Sequence, residues 1–224
     1  MSADSPAAPP TRRRHKLYRA RWAIWGGALG IGVAIGALVA LSHKHSSPSA
    51  DDSAVSTWPA GARPAPAFTL TDEHGKSFSL ASLHGRSAIV TFIDPLCRDF
   101  CPREASILTE AAAKLGAKAP AIVSVSVDPW ADTPTNFKAD AAHWKLGPTW
   151  RWGTGTYAEL ARVWKPYDVG VEVTNKTIAG VKVRYITHTG AAYLIDANGD
   201  ERALFLYPFT TDQVVSAAQA LDAS

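Results

Sequence analysis

Hydrophobic and polar positions follow three different patterns along this chain. From Trp22 to Leu41 there is no charged residue (WAIWGGALGIGVAIGALVAL). As a helix rising 1.5 Å per residue, that run spans roughly 30 Å, the thickness of a bilayer core. Its glycines suit a membrane-spanning helix better than a soluble one. From His43 to Pro66 the chain is rich in Ser, Ala, Pro and Asp and has no apolar period, which is how a flexible tether reads. Short periodic blocks follow. Phe68-Thr-Leu and Ser77-Phe-Ser-Leu alternate around Asp72-Glu-His-Gly75 and predict a β-hairpin. Ala88–Ile93 and Ala121–Val127 are compact, β-branched runs expected to form buried strands. Helical spacing runs from Cys101 to about Leu115, with Gly116 as the stop. Further helices are expected at 133–144, 156–165 and 211–221, and strands at 190–196 and 202–207 around the turn Ala197-Asn-Gly-Asp200. Strand, helix, strand, then hairpin and helix predicts an α/β sheet with a right-handed crossover.

Charge sets the orientation. The net charge is only +3, yet Arg12, Arg13, Arg14, His15, Lys16, Arg19 and Arg21 all precede the apolar run. Positive flanks stay cytoplasmic, so everything after Leu41 is expected outside the cytoplasm. A cleaved signal peptide is the competing reading, with small residues at Ala40-Leu41-Ser42, although signal apolar cores run only ~7–15 residues. The basic residues lie outside the expected folded part, which argues against nucleic-acid binding. The expected organisation is a cytoplasmic basic segment at 1–21, an anchor at 22–41, a linker at 42–63 and a folded domain at 64–224. The short segment ahead of the anchor favours a single pass through a bacterial inner membrane, with the domain in the periplasm.

Candidate chemistry concentrates at one strand end. Cys97 and Cys101 are the only cysteines, and they fall where the first buried strand gives way to a helix, the end at which open α/β sheets bind ligands. Positions i and i+4 share a helix face, so both sulfurs can converge. A helix N-terminus favours thiolate, the form that binds metal or attacks a disulfide. The bland reading is a structural disulfide, as exported chains often carry. Their Cα atoms would lie roughly 6 Å apart, close enough to bridge. Such a short loop adds little stability, and a domain of this size does not need it. Asp128, at the end of the neighbouring strand, is expected near the thiols. Two thiolates are too few for a closed zinc site, so a third donor is sought. His15 falls on the cytoplasmic side, His74 in a turn, His84 in a polar loop and His143 late in a helix, while His43 and His45 border the anchor. His188 leads straight into an expected strand. By itself, though, a lone histidine there is more often a packed or exposed polar residue than a ligand.

Several motifs in order resemble the Sco/SenC family of thioredoxin-like, membrane-tethered proteins that serve cytochrome c oxidase assembly. They are Pro64-Ala-Pro-Ala-Phe-Thr-Leu, Cys97-Arg-Asp-Phe-Cys101-Pro102, Ser126-Val-Asp128-Pro-Trp-Ala-Asp132-Thr-Pro134, and His188 followed by Tyr193-Leu-Ile-Asp196-Ala-Asn-Gly199. The likeness covers about residues 64–220. It implies a thioredoxin-like fold with an N-terminal β-hairpin, preceded by one transmembrane helix. It makes Cys97, Cys101 and His188 the counterparts of copper ligands, and Asp128 an acidic neighbour of the site. Two soft thiolates and an imidazole suit copper, and the thiolates favour Cu(I) over Cu(II). The implied activity is a copper metallochaperone serving the binuclear copper centre of the oxidase. Its partners would be the subunit holding that centre, other copper chaperones and thiol reductases. The alternative is a thiol–disulfide oxidoreductase that keeps the oxidase cysteines reduced, with Cys97 and Cys101 as its redox-active pair. In place of the family's usual Thr-x-Cys-Pro lead-in, this chain has Asp94-Pro-Leu-Cys97-Arg98, and Val171 to Val183 is long and polar.

Overall fold

A computed structural model describes residues 54–83, 85–148 and 150–221. Segments 1–21 and 22–41, and most of 42–63, lie outside the described residues. Among those described, no helix is long and apolar enough to cross a membrane.

The described residues form ten strands: β1 (Val55–Thr57), β2 (Thr69–Asp72), β3 (Ser77–Ser79), β4 (Ala88–Ile93), β5 (Ala121–Ser126), β6 (Trp150–Thr154), β7 (Val171–Ile178), β8 (Val181–His188), β9 (Ala191–Ile195) and β10 (Glu201–Leu206). Eight of them form one sheet in the order β1-β10-β9-β4-β5-β6-β2-β3, and β7 pairs only with β8. The β4–β5 and β5–β6 pairs are parallel, and the other pairs are antiparallel. The helices are α1 (Cys101–Leu115), α2 (Pro134–His143), α3 (Tyr157–Trp164) and α4 (Thr211–Leu221).

The expected α/β fold and its N-terminal hairpin are therefore present. Asp72 shapes that hairpin by accepting the N–H groups of His74 and Lys76, and Gly75 takes the positive φ of 77° that the turn requires. Both central strands are buried along their whole length, as parallel strands covered on two faces should be. Ile89, Ile93 and Ile122 face a core closed by α1 and α4, while Val90, Phe92, Val123 and Val125 face one closed by α3.

Two departures stand out. Val55–Thr57 lies in the segment that composition reads as tether, yet it pairs with Ala203–Phe205 of β10. Polar, Pro-rich flanks hide so short an edge strand. The stretch from Val171, which sequence leaves without structure, is one antiparallel ribbon from the Val171–His188 pair to the Ile178–Val181 pair. Its outer half is exposed apart from the half-buried Val183, so the short alternation Val181-Lys-Val-Arg-Tyr185 marks no buried face.

A thiol–imidazole site at the end of the central strand

β4 ends at Ile93, and Asp94 folds the chain back. Its carboxylate accepts the Leu96 N–H at 2.7 Å and its carbonyl accepts the Cys97 N–H at 3.1 Å. Cys97 thus lies in this turn and not on a helix, because α1 begins only at Cys101. The shared helix face expected from the spacing does not exist. The sulfurs meet because the turn delivers Cys97 to the helix N-terminus. Phe100, the residue capping α1, offers no side-chain acceptor there. The Cys97 sulfur does, receiving the backbone N–H groups of Asp99 and Cys101. A helix N-terminus left without its usual Ser or Asp acceptor is capped by the thiol.

The two cysteines are free and unequal: Cys97 is half-buried and Cys101 is fully buried. A hydrogen bond from Cys101, aided by the two backbone N–H groups and opposed by burial, lowers the Cys97 thiol from 9.0 to about 6. The same hydrogen bond, with burial, pushes the Cys101 thiol far up. Near neutral pH the pair therefore holds one proton, with Cys97 as thiolate and Cys101 as its donor. Alkylation of Cys97 is expected to rise with pH through a midpoint near 6 and to plateau before pH 8. An iodoacetamide rate profile followed by mass spectrometry checks this, and a midpoint near 9 would refute the shared-proton arrangement.

His188, the last residue of β8, reaches the same point. Its Nε2 lies 3.5 Å from the Cys101 sulfur, and its Nδ1 lies 3.1 Å from the Thr189 carbonyl. A carbonyl only accepts, so the proton sits on Nδ1 and the Nε2 lone pair faces the thiols. Burial lowers the imidazole to about 4, against a small upward pull from Thr189, and this keeps it neutral. Phe100 packs on the ring at a centroid separation of 4.8 Å, and Tyr207 backs Phe100 at 5.3 Å. Gly190 makes this stacking feasible: a Cβ there would stand 2.8 Å from Tyr207 and 2.9 Å from Phe100.

The three candidates are thus linked pairwise through Cys101. Among the described residues, no three His, Cys, Asp or Glu side chains are arranged to hold a metal ion as they stand. His74 and His143 are exposed, on the β2–β3 turn and at the end of α2. Neither approaches the thiols, and His84 lies outside the described residues. Asp128 is buried but stands one residue back. The carboxylate beside Cys97 is Asp94, which feels the charge of Asp128 behind it. Burial raises both acids, and it lifts Asp132 to about 7 and Asp140 to about 6.

Two contributors escaped the sequence reading. Glu104 is fully buried on the inner face of α1, in line with Cys101, Ala105, Leu108 and Ala111. The Thr91 hydroxyl of β4 donates to its Oε1, and Oε2 has no protein partner. Burial raises this carboxyl to about 8, and the charge of Cys97 adds to the rise. The helical period alone could have exposed it, as an acid at a core position. The second contributor is Arg184, whose guanidinium lies 4.0 Å over the ring of Trp130 and lowers Asp128 by its charge. Arg184, Ile186 and His188 alternate onto one face of β8. Their contacts are Trp130, the core under α3 and Cys101 respectively. That face clasps the ribbon to the domain and carries His188 to the thiols.

One half-buried and one buried thiol beside a helix N-terminus, faced by an imidazole whose Nε2 lone pair points at them, define a thioredoxin-like protein suited to thiol and soft-metal chemistry. The chain belongs to the SCO1/SenC family, whose model matches residues 59–221. It is 32% identical over 135 residues to the mitochondrial protein SCO2 of Saccharomyces cerevisiae. That match covers 59% of this chain and 44% of the yeast protein, so the chain spans less than half of that relative's length. The copper-bound structure of Bradyrhizobium japonicum ScoI is similar at 27% identity and a TM-score of 0.58. The likeness covers 70% of this chain and 99% of that one. BsSco, a Sco-family cytochrome c oxidase assembly protein in which a disulfide switch was identified, is likewise 27% identical. Its TM-score is 0.55, with 71% of this chain and 93% of that one covered.

Proposed function

We propose that this protein is a membrane-anchored copper carrier for the binuclear copper centre of a respiratory cytochrome c oxidase, with Cys97, Cys101 and His188 as donors. The observation that carries this reading is the position of the neutral His188 Nε2, 3.5 Å from the sulfur of Cys101, which is itself hydrogen-bonded to Cys97. Two thiolates and one imidazole are a soft set that prefers Cu(I) and also accepts Cu(II). The copper-bound Bradyrhizobium relative supports the choice of cargo. Copper loading would displace the proton shared by the thiols, because the metal takes both sulfurs as thiolates. Cys97 is partly open, so the site keeps an edge through which a partner's ligands can take the ion.

The anchor is the uncharged run at 22–41. The basic segment 1–21 stays in the cytoplasm and the folded part lies in the periplasm of a bacterial inner membrane. Asp128 tunes the site from behind Asp94 and does not ligate.

A second reading rests on the inequality of the two thiols. A half-exposed Cys97 thiolate with a buried Cys101 as its proton donor also suits disulfide exchange, and the disulfide switch of BsSco supports it. In this reading the chain reduces the oxidase cysteines.

Cells lacking the protein separate the two readings. A carrier predicts that oxidase copper and activity fall and that added copper restores part of both. Restoration by an added thiol reductant and not by copper would favour the reductase and contradict the carrier.

A further inference from the structure

The outer half of the β7–β8 ribbon stands exposed. Beyond Arg184 it has no core residue beneath it: Asn175–Ile178 and Val181–Tyr185 are exposed apart from the half-buried Val183. A lone two-stranded ribbon is marginal in water unless one face is covered. Its end is also the wrong polarity for a solvent turn. Ala179 and Gly180 form a two-residue turn with φ of 49° and 80°, the primed geometry that closes a tight hairpin. The pair flanking that turn is Ile178 opposite Val181, exposed by 51% and 63%. Lys182 follows one pair behind the tip, Lys176 two pairs, Arg184 three and Tyr185 four. No acidic residue occurs from Val173 to His188.

We infer that the Ile178–Val181 tip of this ribbon docks on an anionic bilayer surface. Its two aliphatic side chains would enter the headgroup boundary while Lys176 and Lys182 pair with lipid phosphates. The order of residues is what an interfacial element needs. Aliphatic groups lie deepest, and lysines next to them carry their charge back to the headgroups. A tyrosine, Tyr185, sits roughly 14 Å up the strand at ~3.4 Å per pair, so with the tip sunk about 5–10 Å it stands at the outer edge of the headgroups. Lys176 already lies over the Tyr185 ring at 5.0 Å, so the cation and the aromatic form one interfacial unit. His188 is seven residues from Val181, so docking would hold the thiol–imidazole site at most roughly 24 Å above the lipid. A domain tethered only through a flexible segment would thereby gain a fixed face toward partners in the same membrane. This inference rests on the anchor reading and is independent of copper.

The test uses the full chain in discs of zwitterionic phospholipid with and without about one-third phosphatidylglycerol. A photoreactive benzoylphenylalanine stands at position 181. Irradiation is expected to give phospholipid adducts in the anionic discs. The docked-to-free ratio should drop roughly fivefold for each of Lys176→Gln and Lys182→Gln, and roughly 25-fold in zwitterionic discs, where both contributions are lost. Failure of the chain to enter the discs would remove the anchor reading and this inference with it. Insertion without a lipid adduct would remove this inference alone. In whole membranes, adducts to a protein in place of lipid would show that the tip serves an acidic protein partner and would overturn it.

Discussion

Cys101→Ala is expected to abolish tight copper binding, whereas changes at residues around the site should only weaken it. Cys101 is the hub of the arrangement: it donates to Cys97 and lies 3.5 Å from His188 Nε2. Without it a thiolate and an imidazole remain, joined to nothing, and the loss should far exceed the roughly 10–100-fold cost of altering a ligand's neighbour. The same change removes the hydrogen bond that lowers Cys97, so the Cys97 thiol should titrate nearer its ordinary value of 9.0. His188→Ala is expected to weaken binding less for Cu(I) than for Cu(II), because imidazole matters more to the harder ion. Competition titrations against chelators of known affinity measure these effects. A Cys101→Ala chain that binds copper as tightly as the parent would remove this residue from the ligand set.

Glu104→Gln is expected to change how stability depends on pH. The Glu104 carboxyl is raised from 4.5 to about 8, chiefly by burial. In the unfolded chain it ionises above pH 4.5, whereas in the folded chain it keeps its proton until about pH 8. The unfolded state therefore holds fewer protons between those values. The contribution of Glu104 is fully present below 4.5 and is lost as pH rises toward 8. A rise of that size corresponds to on the order of 5 kcal/mol. Glutamine resembles the neutral carboxyl and never ionises. The variant should match the parent near pH 5 and exceed it by a few kcal/mol at pH 9, less the cost of one more unpaired amide hydrogen. Urea unfolding at the two pH values measures this. Equal pH slopes for parent and variant would mean that Glu104 does not keep its proton in the fold.

The parts of this protein that sequence disclosed are those where one physical signal dominates. The runs at Ala88 and Ala121 read as covered strands, and helical spacing with Gly116 as terminator placed α1 from Cys101 to about Leu115. The candidate site's position followed from the cysteines at a strand end, and its proposed third donor, His188, followed from resemblance. What stayed hidden depends on partners distant in sequence. β1 is a strand only because β10 offers it an edge, and β6 carries three large or small buried residues with no alternation. The outer ribbon covers no core, so its register comes from cross-strand bonding and from the three contacts at Arg184, Ile186 and His188. The Cys97 turn was misread because four-residue spacing looks helical, whereas Asp94 captures the Leu96 and Cys97 amides and delays the helix to Cys101. Glu104 could have been found from α1 alone, since an acid among Cys101, Ala105 and Leu108 must be buried beside the thiols.

The central claim is that the two thiols and His188 form one copper site that oxidation switches off. The cysteines are free in this structure, and a disulfide between them would consume both thiolate donors at once. The direct measurement is copper bound per chain, by elemental analysis after removal of loosely held metal, for the reduced full chain and for the same chain oxidised to the Cys97–Cys101 disulfide. Stoichiometric copper on the reduced chain and none on the oxidised chain is the predicted result. No copper on the reduced chain, or equal copper on both, would contradict it.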